Sequence, residues 1–201
     1  VFSVGLREQK KQETRQNALR AAVELFRSQG FAATSMDQIA ERSRVSRSTL
    51  FNYFHSKDEI VTALAGPFEH LYPKRIREIS MQSGSTAQRI ESAFKVAADY
   101  FITHRELNEA IYLELKRIRS ADHEANKSAY QGYHQAFKEL LEKGIEQGDV
   151  RTDIDIDRMA ELLWSPLSTG IYRIFNGGDD DIEETFGSYA RLFADGITVS
   201  N

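Results

Sequence analysis

No cysteine occurs among the 201 residues, which excludes disulfides, thiolate metal sites and cysteine nucleophiles. A reducing cytosol is the natural setting for such a chain. No stretch approaches the ~20 consecutive apolar residues of a membrane span. The opening VFSVGL is too short for the apolar core of a signal peptide, so the expectation is a soluble, cytoplasmic protein with no membrane partner. Alternating apolar and polar residues, the mark of a half-buried strand, are also missing. The five histidines (His55, His70, His104, His123 and His134) form no HExxH or related metal spacing. No glycine-rich phosphate loop and no Ser/His/Asp order is present. The acidic run Asp179, Asp180 and Asp181 lacks the pattern of a calcium loop and reads as a cap for the last helix, where negative charge suits the helix dipole. Catalysis, a bound metal and a cofactor are therefore not expected.

What is present is helical periodicity. Leu19, Ala22, Val23 and Phe26 recur at i, i+3, i+4 and i+7. Gly30 is placed to end that helix, with Phe31 folding back on Phe26. Ser35 with Gln38, and Ser56 with Glu59, have the spacing of capping boxes. A third helix starts at Ser46. The fourth runs toward residue 80 past Pro67 and Pro73, where kinks or a break are expected. Longer striped segments follow at about 86–103, 105–120, 122–147, 156–176 and 180–198. The fold class is all-α: a small three-helix N-terminal unit (1–60) joined to a larger helical bundle (61–201), about nine helices in total. Charge divides the same way. Residues 1–65 hold ten Lys and Arg against seven Asp and Glu, and the remainder sixteen against twenty-three. A basic head on an acidic body suits a head that meets phosphate.

The most specific stretch is 34–58, TSMDQIAERSRVSRSTLFNYFHSKD. Its spacing meets the demands of a helix-turn-helix, which places a short helix in the DNA major groove. Ala40 permits close approach of the two helices, and Ile39, Val45, Leu50 and Tyr53 supply the small core between them. Arg47, Ser48, Thr49 and Asn52 then form the exposed face, with Ser46 at the cap. Asn pairs bidentately with adenine and Arg with guanine, each contributing about 1–3 kcal/mol of discrimination.

An N-terminal helix ending in GF, then T-S-M-x-x-I-A, then V-S-x-x-x-L-F-x-Y-F-x-x-K-D-E-I resembles the TetR (tetracycline-repressor-like) family of bacterial transcriptional regulators. G-I-E-Q-G-D-V-R-T-D-I-D (144–155) resembles a weaker pattern ahead of that family's last two helices. The resemblance implies that Thr34, beside Ser35 at the second helix, and Lys57 hold the DNA backbone and that Ser46 to Asn52 form the recognition helix. Tyr53 matches an aromatic near phosphate, or else is core. Two departures stand out. The turn has Ser43 and Arg44 where a small residue and glycine are usual, and Arg44 either reaches phosphate or is solvated. Phe51 replaces a tyrosine, so no phosphate bond is carried over there. The basic arm Arg7, Lys10, Lys11 and Arg15 either follows a groove or is a solvated terminus.

One recognition helix contacts too few bases, so a homodimer on a palindromic operator is expected, its half-sites about one turn or more apart. The resemblance implies a dimer surface on the last two helices. Met159, Leu163, Leu167, Ile171 and Ile174 form one apolar stripe there, with Ser165, Ser168 and Gly170 small enough for close packing. Ile182, Phe186, Tyr189, Ala190, Phe193 and Ile197 form the other. The alternative is that both stripes bury inside one subunit. The resemblance also implies an unidentified small-molecule effector held in the body. Candidates for its site are Phe101, His104, Tyr112, Tyr133, Phe137 and Trp164, each of which could equally be plain core. The implied function is a repressor released by its effector. An activator or a ligand-independent regulator of the same fold is the alternative, and a helical adaptor without DNA binding a more distant one.

Overall fold

The computed structural model describes residues 5–175 and 181–198. Among these are nine helices: α1 (Leu6–Gln29), α2 (Met36–Arg42), α3 (Arg47–Phe51), α4 (Lys57–Ser80), α5 (Thr86–Thr103), α6 (Arg105–Ala121), α7 (His123–Gln147), α8 (Ile156–Phe175) and α9 (Ile182–Ile197). The only β pairing among the described residues is an isolated bridge between Val150 and Thr198, in keeping with the all-α expectation. The chain packs as two units. One comprises residues 1–66 with 106–121, the other residues 67–105 with 122–201.

The first unit is built on α1, α2 and α3. Gly30, at φ 83°, ends α1 and donates its N–H to Phe26 O. That turn brings the Phe31 ring to 5.2 Å from Phe26, as the GF pair predicts. Ala18, Leu19, Ala22, Phe26, Ile39, Ala40, Leu50, Phe54, Ile60 and Val61 close the core. Ile111 of α6 is buried with them, and Leu107, Ala110, Leu115 and Ile118 pack alongside. Division of the sequence at residue 60 assigned these α6 residues to the body. The basic residues Arg7, Lys10, Lys11 and Arg15 are not an arm, because all four lie on α1. Arg15 sits with its guanidinium 5.3 Å from the Phe54 ring centroid.

The second unit pairs α5 with α9 and α7 with α8, and α9 also lies against α8. Its core runs from Tyr72 and Ile76 through Phe94, Phe101, Tyr133 and Phe137 to Leu163 and Phe186. Ser85 caps α5 with a capping box to Gln88 that the sequence reading missed. Asp149 then fastens the start of α5, accepting from the Thr86 N–H at 2.7 Å and its hydroxyl at 2.7 Å. Asp181 caps α9 by accepting from the N–H groups of Glu183 and Glu184, as expected; Asp179 and Asp180 lie outside the described residues. Pro67 and Pro73 are both accommodated inside α4, which remains one helix where a break was an alternative.

The stripes assigned to a dimer surface need correction. Met159, Leu163, Leu167, Ile174, Ile182, Phe186 and Ile197 are each at most 5% exposed within the single chain, and Ile171, Tyr189 and Phe193 are half-buried against the same core. The reason is α5 and α7, which cover the apolar faces of α9 and α8. Gly170 serves this internal packing. A Cβ there would overlap the Phe186 ring.

Candidate nucleic-acid interface

Helix α3 starts where Ser46 stops the turn. The Ser46 backbone is extended (φ −67°, ψ 155°), and its Oγ accepts from the Thr49 N–H at 3.0 Å. The same hydroxyl is within 2.9 Å of Ser48 Oγ and 2.7 Å of Thr49 Oγ1, so three short polar groups are tied together at the helix start. Leu50, fully buried, fixes α3 to α2 and turns the opposite face outward. On that face Arg47, Ser48 and Asn52 are exposed and Thr49 is half-buried. Asn52 lies at the C-cap of this five-residue helix. Arg47 is held over the Phe51 ring (5.4 Å) and by an exposed ion pair to Asp37 at 3.2 Å. Ser46, Arg47, Ser48 and Phe51 line a shallow surface depression.

The turn before α3 carries the one non-glycine residue with positive φ among the described residues, Arg44 at 58°. Its N–H donates to Glu41 O and that of Val45 to Ala40 O, both at 3.0 Å, so the left-handed turn is fixed on both sides. The Arg44 side chain is exposed. Ser35 caps α2 with its capping box to Gln38, as its spacing predicts, and stays at the surface.

Two residues expected to hold the DNA backbone are otherwise engaged. Thr34 is 2% exposed; its hydroxyl donates to Gly30 O at 2.8 Å and accepts from Gln29 Nε2. The side chain therefore sets the α1–α2 turn instead of facing outward. Lys57 donates from Nζ to Phe31 O at 2.5 Å and lies 4.2 Å from the Phe31 ring centroid. Arg117 of α6 approaches the same ring at 5.8 Å and bonds to Asp58 at 2.6 Å. Its pKa is raised by the bond to Glu114 and then by that to Asp58. Sequence reasoning missed this α6 contribution, because nothing local to 105–121 announces contact with residues 31 and 58. Tyr53 is half-buried against the first core, which keeps both of its readings open.

The six aromatic candidates for an effector site are not gathered into one place. Phe101, Tyr133 and Phe137 are buried in the second core, and Trp164 stacks on Tyr133 with ring centroids 4.1 Å apart. His104 is exposed at the end of α5, its ring 4.6 Å from Tyr100. Tyr112 lies on α6, in the other unit. Rings that sequence reasoning passed over, Phe68, Tyr72 and Tyr100, join the set. Their signal was the i, i+4 pair 68/72 beside Pro67. Among the described residues no cluster of potential metal ligands occurs, and no helix is long and apolar enough to cross a membrane.

Residues 18–64 match the family model described as bacterial regulatory proteins, tetR family. The chain is 29% identical over 170 residues to the uncharacterised HTH-type transcriptional regulator YdeS of Bacillus subtilis (strain 168), covering 83% of this chain and 81% of that protein. It is 25% identical over 186 residues to the HTH-type transcriptional repressor KstR2 of Mycobacterium tuberculosis, covering 90% of each. In fold it is similar to Thermus thermophilus FadR, a TetR-family transcriptional repressor crystallised with lauroyl-CoA. That match has a TM-score of 0.65 at 24% identity and covers 93% of this chain and 96% of that one.

Proposed function

Because the chain belongs to the tetR family of bacterial regulatory proteins, we propose that it represses transcription by binding a palindromic operator as a homodimer, and that a small-molecule effector releases it. The observation that carries this reading is the outer face of α3. Arg47, Ser48 and Asn52 stand exposed on a short capped helix whose other side is locked by Leu50. A solvated structural helix needs no such set of base-reading groups, whereas a major-groove reader does. Ser35, Arg44 and Ser46 are exposed as well, which supports their assignment to phosphate. Thr34 supports the α1–α2 turn from inside, and Tyr53 is half-buried against the same core. Lys57 spends one of its three N–H donors on the Phe31 carbonyl and keeps the others for phosphate.

The second copy is assigned to the uncovered side of the last two helices. Leu162, Ser165, Thr169 and Tyr172 recur at helical spacing along the exposed face of α8, and Leu192 is 68% exposed on α9. Large apolar side chains in water beside small polar ones suit a helix–helix contact. The relatives support the effector half of the reading, since Thermus thermophilus FadR was crystallised with lauroyl-CoA. An effector in the body shifts the population away from the DNA-bound form if it binds the released form more tightly. The chain passes between the two packing units within α4 and at both ends of α6, and these are the covalent routes. A cytoplasmic location follows from this role.

Selection of bound fragments from the host genome tests the reading. A recovered palindrome should outcompete scrambled duplex by 10³-fold or more, about the low end for specific binders. Equal binding of both would leave only a basic surface.

A further inference from the structure

The aromatic side chains of the second unit converge on one residue. The Phe68 ring stacks on Tyr72 at 4.8 Å and meets Tyr100 at 4.6 Å, Phe101 at 4.9 Å and Tyr133 at 6.2 Å. Tyr133 in turn lies parallel to Trp164, planes within 6°. Phe68, Tyr100 and Trp164 are only partly buried, so the cluster reaches the surface of its unit. Faces of this kind bind flat π systems and aryl or onium cations.

Prolines mark the same place. The chain has three, Pro67, Pro73 and Pro166, and all lie inside helices. Pro67 adjoins Phe68, Pro73 adjoins Tyr72, and Pro166 lies two residues after Trp164. Each lacks the N–H that would close its helical turn, and a helix-interior proline is the least favourable residue at such a position. A static core gains nothing from this, since alanine or leucine would carry the same turn. The turns that hold Phe68, Tyr72 and Trp164 are therefore the ones most easily bent, which lets the rings part.

Charge restricts what enters. Residues 67–105 and 122–201 carry thirteen Lys and Arg against twenty Asp and Glu. Arg89 is the one buried basic side chain among the described residues of this unit. Its guanidinium is committed to Gln82 O and to Gln147 Oε1. A carboxylate entering between the rings would find no uncommitted buried cation among the described residues of this unit, and the saturated chain of a fatty acyl-CoA offers the ring faces no π system or cation.

Resting on the effector reading above, we propose that the ligand of this chain is an aryl compound without negative charge, received between Phe68, Tyr100, Tyr133 and Trp164. Trp164 is the sole tryptophan, so its emission reports the site directly in the full chain. Diphenyl ether (uncharged) and tetraphenylphosphonium (cationic) serve as probes, with lauroyl-CoA as the anionic comparator. The aryl probes should change Trp164 emission saturably and dissociate the chain from its selected DNA, and lauroyl-CoA should do neither. Phe68→Leu should weaken probe binding at least tenfold. Phe94→Leu removes a ring of the same core whose one ring contact among the described residues is Phe137, and it should leave probe affinity within about twofold.

Three results would overturn the ligand class: emission unchanged by both aryl probes up to their solubility, equal losses in the two variants, or saturable lauroyl-CoA binding that releases DNA. None of these touches DNA binding, which the fragment selection measures separately. Absence of specific DNA binding would remove the repressor reading, while the emission titration would still decide whether the site takes aryl ligands.

Discussion

Arg44→Gly separates two consequences of one residue. At φ 58°, an L-residue in the left-handed region is disfavoured by about 1–2 kcal/mol, and glycine is not. Glycine gives back part of that gain, roughly 0.5–1 kcal/mol, through the larger freedom of its unfolded chain. The net stabilisation is then about 0.5–1 kcal/mol, since both backbone bonds of the turn are retained. For a chain of this length the melting temperature should rise by roughly 1–4 °C at fixed protein concentration. The exposed guanidinium is lost in the same step. If it contacts one phosphate per head, the slope of log K against log salt becomes shallower by about 0.9 per head, hence about 1.8 per dimer. Calorimetry and a salt series of operator binding read the two effects on one preparation. An unchanged salt slope would place Arg44 in solvent. A lower melting temperature would refute the strain argument, and Arg44→Asn, which tolerates the same backbone, should then fail to rescue it.

Gly170→Ala should destabilise by about 1–3 kcal/mol in urea titration, because the added methyl overlaps the Phe186 ring across α8 and α9. Leu192→Asp places a charge on the exposed side of α9 and should yield monomers in sedimentation with the helical content unchanged; an intact dimer would move the interface elsewhere. Asn52→Ala and Arg47→Ala should each relax specificity at one position per half-site, costing about 1–3 kcal/mol against the cognate sequence alone. Lys57→Ala should weaken cognate and random DNA alike, and an equal loss across all three variants would refute that division of roles.

Local features were legible in the sequence and partners were not. The GF stop after α1, the Ser35–Gln38 box and the Ser46 start are each set by groups within a few residues, and each appears where its spacing places it. The box at Ser56 is shifted: Glu59 accepts from the His55 N–H at 2.8 Å while its own N–H donates to Ser56. Thr34 and Lys57 were expected at the DNA backbone because they match family positions that hold it. In the fold the Thr34 hydroxyl donates to Gly30 O and Lys57 donates to Phe31 O, contacts that no local spacing announces. An apolar stripe shows that a helix buries one face, but its period carries no information on whether the covering surface belongs to the same chain. For α8 and α9 the covering helices are α7 and α5, and the face proposed for a second copy is the exposed one, where apolar side chains stand among polar ones without a continuous stripe.

The placement of α6 follows the same logic with a functional consequence. Residues 105–121 follow α5 in sequence, yet Ile111 is buried in the core of the first unit, and Arg117 and Lys57 share the Phe31 ring. The cation expected to hold the DNA backbone thus shares its aromatic contact with a helix that a linear division assigns to the body. Displacing α6 would disturb the Asp58–Arg117 bond at the first turn of α4 and with it the neighbouring Lys57. On the proposed repressor reading, control of α3 would then need no change in α3 itself. Holding or releasing the start of α4 would suffice, and both the Phe31 ring and the α6 guanidinium lie at that point.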